Sequence, residues 1–126
     1  VTDLLFEINK TDGPFAGVFA YRFIKKSKAL LAFTHFDFTC ILELDGAFSA
    51  TTQKFYAAVW KRLDNEKIPY TFHWGKVNEM DFKKIKNMYG SDVDTWIAAR
   101  NKLLDADTMK VFTNPILTKW GLDKVL

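Results

Sequence analysis

Gly17-Val18-Phe19-Ala20-Tyr21-Arg22-Phe23-Ile24-Lys25 alternates along its whole length. Phe19, Tyr21 and Phe23 fall on one side, and Val18, Ala20, Arg22 and Ile24 on the other. A period of two marks a strand, because successive side chains leave a pleated backbone on opposite faces. Phe38 to Leu44 repeats the pattern: Phe38, Cys40, Leu42 and Leu44 share one face, and Thr39, Ile41 and Glu43 the other. Ala29 to Phe33 is also expected to be extended, either as a separate strand or as one long strand with Phe38 to Leu44, bent around His35. No helix-length segment separates these runs, so they are expected to pair antiparallel.

Helical patterns flank this region. Thr2 is expected to cap a short helix with Leu4, Leu5 and Ile8 on one face, stopped by Thr11-Asp12-Gly13-Pro14. Gly46 breaks the last long strand. Thr51 or Thr52 then opens the longest helix, in which Phe55, Val59 and Leu63 recur at one-turn spacing until Asp64-Asn65-Glu66. Pro69 precedes a predicted short strand, Tyr70 to Trp74. Asp81 caps a helix with Phe82, Ile85 and Met88 inward and Gly90 at its end. Ser91 and Asp94 suggest a capping box for a helix burying Val93, Trp96, Ile97 and Leu104. Pro115 suits the first turn of a last short helix through Trp120. The expected fold class is α+β, an antiparallel sheet with helices packed on one face, as a single domain over residues 1–126.

Composition narrows the function. The chain is 48% hydrophobic and 26% charged, ordinary for a globular domain. Its 16% aromatic content is high, which predicts either a ring-rich core or rings that face a partner. The net charge is +3, but Lys25, Lys26, Lys28, Lys83, Lys84 and Lys86 lie in separate segments among acids. That describes a solvated surface rather than a nucleic-acid footprint. No run reaches the about 18 uninterrupted apolar residues of a membrane span. The single cysteine, Cys40, cannot form an internal disulfide and is expected to be buried and inert. No Cys-x-x-Cys, His-x-x-x-His or acidic loop offers a metal site, and no glycine-rich turn offers a phosphate cradle. The chain opens at Val1 directly into a helical pattern, and so is expected to be internal to a longer polypeptide.

One short run stands out, His73-Trp74-Gly75-Lys76. Following the predicted strand, it would place His73 and Trp74 on opposite faces. Gly75 would allow close backbone approach or a positive φ, and Lys76 would project from the strand end. An ammonium there can serve an electron-rich ligand, or it is simply a surface lysine beside a core histidine. A second cluster follows downstream, Leu104-Asp105-Ala106-Asp107-Thr108-Met109, then Phe112-Thr113-Asn114.

Together these residues resemble the carboxyl-terminal region of FAD-linked oxidases of the vanillyl-alcohol oxidase superfamily, in the sugar-lactone and alditol oxidase and flavin-linked cholesterol oxidase branch. That branch carries a His-Trp-Gly-Lys or His-Trp-Ala-Lys run after a long helix and a strand. It closes on a Leu-Asp-Pro step, a Met/Phe pair and an Asn. This chain departs by Ala106 in place of the proline and by extra spacing before Phe112. The family also places a Glu-x-Arg pair on the first strand. Arg22 matches the arginine, but Ala20 stands where the glutamate would be.

The resemblance implies a substrate-binding (cap) domain over a flavin. FAD would be held mainly by an FAD-binding domain of the same parent protein, absent from this chain. The implied catalytic residues are Lys76, Arg22 and, standing in for the missing glutamate if its strand adjoins, Glu43. The implied cofactor-binding residues are His73, Lys76 and Asn114. The implied reaction is hydride transfer from an alcohol carbon of a sugar lactone, alditol or sterol to the flavin. The alternative is a stand-alone α+β module that binds a ligand or protein through an aromatic sheet face, without catalysis.

Overall fold

The alternating run from Gly17 is the first strand of an antiparallel hairpin. β1 (Gly17–Lys25) pairs with β2 (Phe38–Gly46) in a register running from Gly17 opposite Gly46 to Lys25 opposite Phe38. The computed structural model describes residues 1–124 and divides the chain into two units. The first unit comprises Val1–Lys25 and Phe36–Tyr70. The second comprises Lys26–His35 and the chain from Thr71 onward. The fold is α+β, with a two-stranded antiparallel sheet.

In the first unit, α1 (Thr2–Asp12) and α2 (Ala50–Asn65) cover one end of one hairpin face. The register places Phe19 opposite Leu44, and Tyr21 opposite Leu42, on that face. Phe19, Leu42 and Leu44 pack on a buried cluster of Leu4, Leu5, Ile8, Phe55, Val59 and Leu63. Phe15 bridges sheet and helix by stacking on Phe19 at 5.3 Å and on Phe55 at 4.7 Å. Gly46 permits this approach, since a Cβ there would lie 2.5 Å from the Phe15 ring. The Tyr56 hydroxyl donates to the Leu44 carbonyl at 2.7 Å and ties α2 to β2. Toward the far end of the same face the packing gives out: Phe23 is 81% exposed and Phe38 83%. Cys40, opposite Phe23, is exposed rather than buried as its apolar neighbours suggested.

Local chemistry sets the helix ends. Ser49 caps α2 by accepting the Thr52 N–H at 3.1 Å, so the helix begins slightly earlier than expected and Thr52 lies inside it. Thr2 does not cap α1; it is the first helical residue, and its hydroxyl is 3.0 Å from that of Tyr21.

The second unit contains α3 (Phe82–Tyr89), α4 (Asp92–Leu103), α5 (Ala106–Val111) and α6 (Pro115–Lys119). Its buried residues include Phe72, Met80, Ile85, Tyr89, Val93, Ile97 and Leu122. Asp81 caps α3 through the Lys84 N–H at 2.7 Å, and Gly90 ends it with φ 57°. The Ser91 capping box does not form: the Ser91 side chain makes no cap bond, and Asp94 pairs with Lys86 at 2.7 Å instead. Asp105 caps α5, a helix the periodicity did not indicate, by accepting the Thr108 N–H at 2.8 Å. Donation from that N–H, then from the Thr108 side chain, holds the Asp105 carboxyl below its usual range.

Two predicted strands, Ala29 to Phe33 and Tyr70 to Trp74, are not strands. Residues 27–34 close on themselves, with the Ser27 N–H donating to the Thr34 carbonyl at 3.0 Å and the Ala32 N–H to the Ala29 carbonyl at 3.2 Å. Carbonyls that a ladder would use are met by side chains: Thr71 donates to Phe33 at 2.6 Å, and Trp74 to Leu31 at 2.7 Å. Backbone groups satisfied in this way gain nothing from strand pairing.

The Phe55 ring is fully buried at the centre of the first unit's aromatic stack. Phe55→Ala is expected to cost about 3–5 kcal/mol, and Ser49→Ala about 1 kcal/mol. Urea denaturation followed by circular dichroism measures both; equal losses in the two variants would contradict this account of the core.

Candidate functional site

His73-Trp74-Gly75-Lys76 is a tight turn, not the end of a strand. The Lys76 N–H donates to the His73 carbonyl at 3.2 Å. Inside the turn, the Gly75 N–H donates to His73 Nδ1 at 3.1 Å. A neutral imidazole accepting at Nδ1 carries its proton on Nε2. The His73 ring is exposed on its outer side and packs against Phe33 at 4.7 Å. The latitude expected of Gly75 is not used: its φ is not left-handed, and a Cβ there would meet only the His73 ring at 3.5 Å.

Trp74 anchors the turn. Its indole N–H bonds the Leu31 carbonyl, its ring stacks on Tyr89 at 5.9 Å, and it meets Trp120 edge-on at 5.2 Å. With Trp74 turned inward, Lys76 is left outside. The Lys76 carbonyl accepts from Asn78 Nδ2 at 2.8 Å, while its ammonium is exposed and makes no ion pair among the described residues.

Asn114, in the same unit, caps α6. Its Oδ1 accepts the N–H groups of Ile116 and Leu117, both at 3.0 Å. The side-chain oxygen is therefore committed to the helix, and the NH2 group is what remains for a ligand.

Arg22 and Glu43 belong to the first unit, and their strands do adjoin. Arg22 Nη2 lies 2.9 Å from one Glu43 carboxylate oxygen and 3.1 Å from the other. The pair sits on the hairpin face opposite Phe19 and Leu44. Register places Glu43 directly opposite Ala20, with Arg22 diagonal to it. The cross-strand neighbour of Ala20 thus supplies the carboxylate that Ala20 lacks. The Arg22 side chain is 66% exposed and the Glu43 side chain 28%.

The five predicted residues thus form two local sets. Arg22 and Glu43 bond each other in the first unit; His73 and Lys76 share a turn in the second, where Asn114 caps a helix. None of them lines the groove of about 380 Å³ in the first unit, which is bordered by Glu7, Asp12, Lys61 and Arg62 of α1 and α2. No cluster of three or more metal-ligating side chains occurs among the described residues, and no helix there is long and apolar enough to cross a membrane.

Two residues went unnoticed in the sequence. Tyr89 is buried beneath Trp74, and its hydroxyl has no hydrogen-bond partner of good geometry among the described residues. The nearby Thr71 and Trp74 donors are both turned to carbonyls. Arg100 lies on the buried side of α4, following Val93 and Ile97 at helical spacing. An arginine on an apolar stripe was the available signal. No protein-family model, curated protein or solved structure matches this chain.

Burial pushes the Tyr89 hydroxyl up to about 12, an effect partly offset by Thr71 and Trp74. The raised value means the folded state holds this proton more tightly than the unfolded chain, whose tyrosines titrate near pH ~10. The resulting stability is complete below about pH 10 and is lost as pH rises toward about 12. Comparing urea midpoints at roughly pH 9 and pH 11.5, Tyr89→Phe is expected to show a smaller alkaline loss than the unmodified protein. Identical losses would refute the burial argument.

Proposed function

We propose that this chain is the substrate-binding domain of an FAD-dependent oxidoreductase acting on an alcohol carbon, of the sugar-lactone, alditol or sterol type. The observation that carries the reading is the Arg22–Glu43 pair. The resembled family uses an acid and an arginine two residues apart on one strand. Here the acid arrives across the ladder, opposite Ala20. The Lys76 ammonium, without an ion pair among the described residues and raised on a turn braced by Trp74, supports the same reading.

The residues fit a contributing role toward a flavin rather than its full binding. Lys76 and the Asn114 NH2 group are donors suited to the electron-rich edge of a flavin or substrate. No glycine-rich turn cradles a pyrophosphate, so the greater part of the FAD contacts belongs to another domain. When bound, FAD supplies the hydride acceptor. Arg22 stabilises negative charge on oxygen. Glu43 accepts the substrate hydroxyl proton, for which it must be released from Arg22 or share it. His73, with a proton on Nε2, supports the turn and donates outward.

A second reading, an α+β binding module without catalysis, rests on the aromatic hairpin face where Phe23 and Phe38 lie exposed. The two readings separate on the full-length gene product. Under the first, it carries bound flavin in its visible spectrum. In that protein, Arg22→Met and Lys76→Met are each expected to slow anaerobic flavin reduction by roughly 10²–10³-fold, the usual effect of removing one charge-stabilising donor. A colourless full-length protein, or unchanged reduction rates in both variants, removes the enzyme reading.

A further inference from the structure

α4 holds a cation on its buried side. Arg100 is 8% exposed. Its Nη2 donates to the Thr113 hydroxyl oxygen at 2.9 Å, while Nη1 is buried and has no hydrogen-bond partner among the described residues. No carboxylate pairs with it among the described residues. The chain's other arginines behave differently: Arg22 pairs with Glu43, and Arg62 with Glu66 and Glu7.

A guanidinium cannot relieve burial by losing its proton. Removed from water, it needs an anion or several acceptors. One neutral hydroxyl accepts one hydrogen bond and cancels no charge. Thr113 sits in the connection between α5 and α6, helices of 6 and 5 residues that bury none of their side chains. Phe112 beside it is 60% exposed. A cover with no fully buried residue is expected to open locally more readily than the unit unfolds, and such opening is the route by which a ligand would reach Nη1.

We infer that Arg100 anchors a binding site for a small oxyanion, a carboxylate or phosphate group. The anion accepts from Nη1 and from the Thr113 hydroxyl, whose hydrogen is not used in the contact with Arg100. The planar fork of arginine favours such two-oxygen groups over a spherical anion. The inference reaches beyond the oxidoreductase reading and does not require it.

Thermal unfolding of this chain is followed in sodium phosphate, sodium acetate and sodium chloride at matched ionic strength. The melting temperature is expected to rise saturably in phosphate, acetate or both, by several degrees at a large excess over Kd, and not in chloride. Arg100→Leu is expected to abolish the rise. Should that variant fail to fold, Arg100→Lys replaces it, with a rise expected to saturate only at higher anion concentration. The Arg100 Nε–H resonance in ¹⁵N NMR supplies a local readout and is expected to shift along the same saturation curve. A rise in neither oxyanion, a rise that persists in Arg100→Leu, or an unmoved Arg100 resonance overturns the inference. A response to only one oxyanion identifies the preferred group.

Discussion

The hydrogen bond from the Trp74 indole to the Leu31 carbonyl joins chain segments 43 residues apart, and much of the second unit's local order depends on it. The indole has one donor and no acceptor, so this bond fixes which way the ring faces. Facing that way, it stacks on Tyr89 and meets Trp120 edge-on. It also decides the shape of the run that contains it. A strand would send His73 and Trp74 to opposite faces; the turn keeps the His73 ring curled over the Gly75 N–H and puts Lys76 outside. An exposed, unpaired lysine is common on any surface. One held on a turn whose neighbouring ring is anchored has less freedom to lose when it meets a ligand.

In the first unit the governing constraint is register. Phe19, Leu42 and Leu44 must face α1 and α2, and a slip of one residue would turn all three outward. Once they are placed, Glu43 has to stand opposite Ala20 and diagonal to Arg22. The ion pair follows from core packing and does little to cause it: an exposed pair contributes only about 0–1 kcal/mol. A feature that adds so little to stability is free to serve chemistry, and Arg22, 66% exposed on the sheet face that α1 and α2 do not cover, is accessible to do so.

What was legible in the sequence was what periodicity and capping chemistry determine. The alternation in Gly17 to Lys25 and in Phe38 to Leu44, the Phe55–Val59–Leu63 stripe, the Asp81 cap and the Pro115 start all correspond to observed elements. Failures came where tertiary bonds competed with local pattern. Leu30, Leu31 and Phe33 form an apolar run, but their segment has carbonyls answered by Thr71 and Trp74, so its hydrophobicity records packing and not a ladder. Cys40 shares a face with Leu42 and Leu44, yet it lies toward the hairpin end that the helices do not cover. Alternation tells which face a side chain takes; it does not tell how far along that face the covering helices extend. Of the candidate site, the pairing of Arg22 with Glu43 was conditional on strand adjacency, which no single sequence reveals.

The two notable arginines show how burial changes the meaning of one side chain. Arg22 has water and a carboxylate, so neither its charge nor its geometry demands anything further. Arg100 is buried and has no carboxylate partner among the described residues, and its position follows from the Val93–Ile97 stripe on which it falls. Replacing a buried ion by an apolar side chain of similar volume is often neutral or stabilising. An apolar residue would thus suit that stripe at least as well for stability alone. A charge kept in such a place, with one edge bonded to a threonine in a thinly packed connection, is better explained by what the edge can receive than by what it holds together.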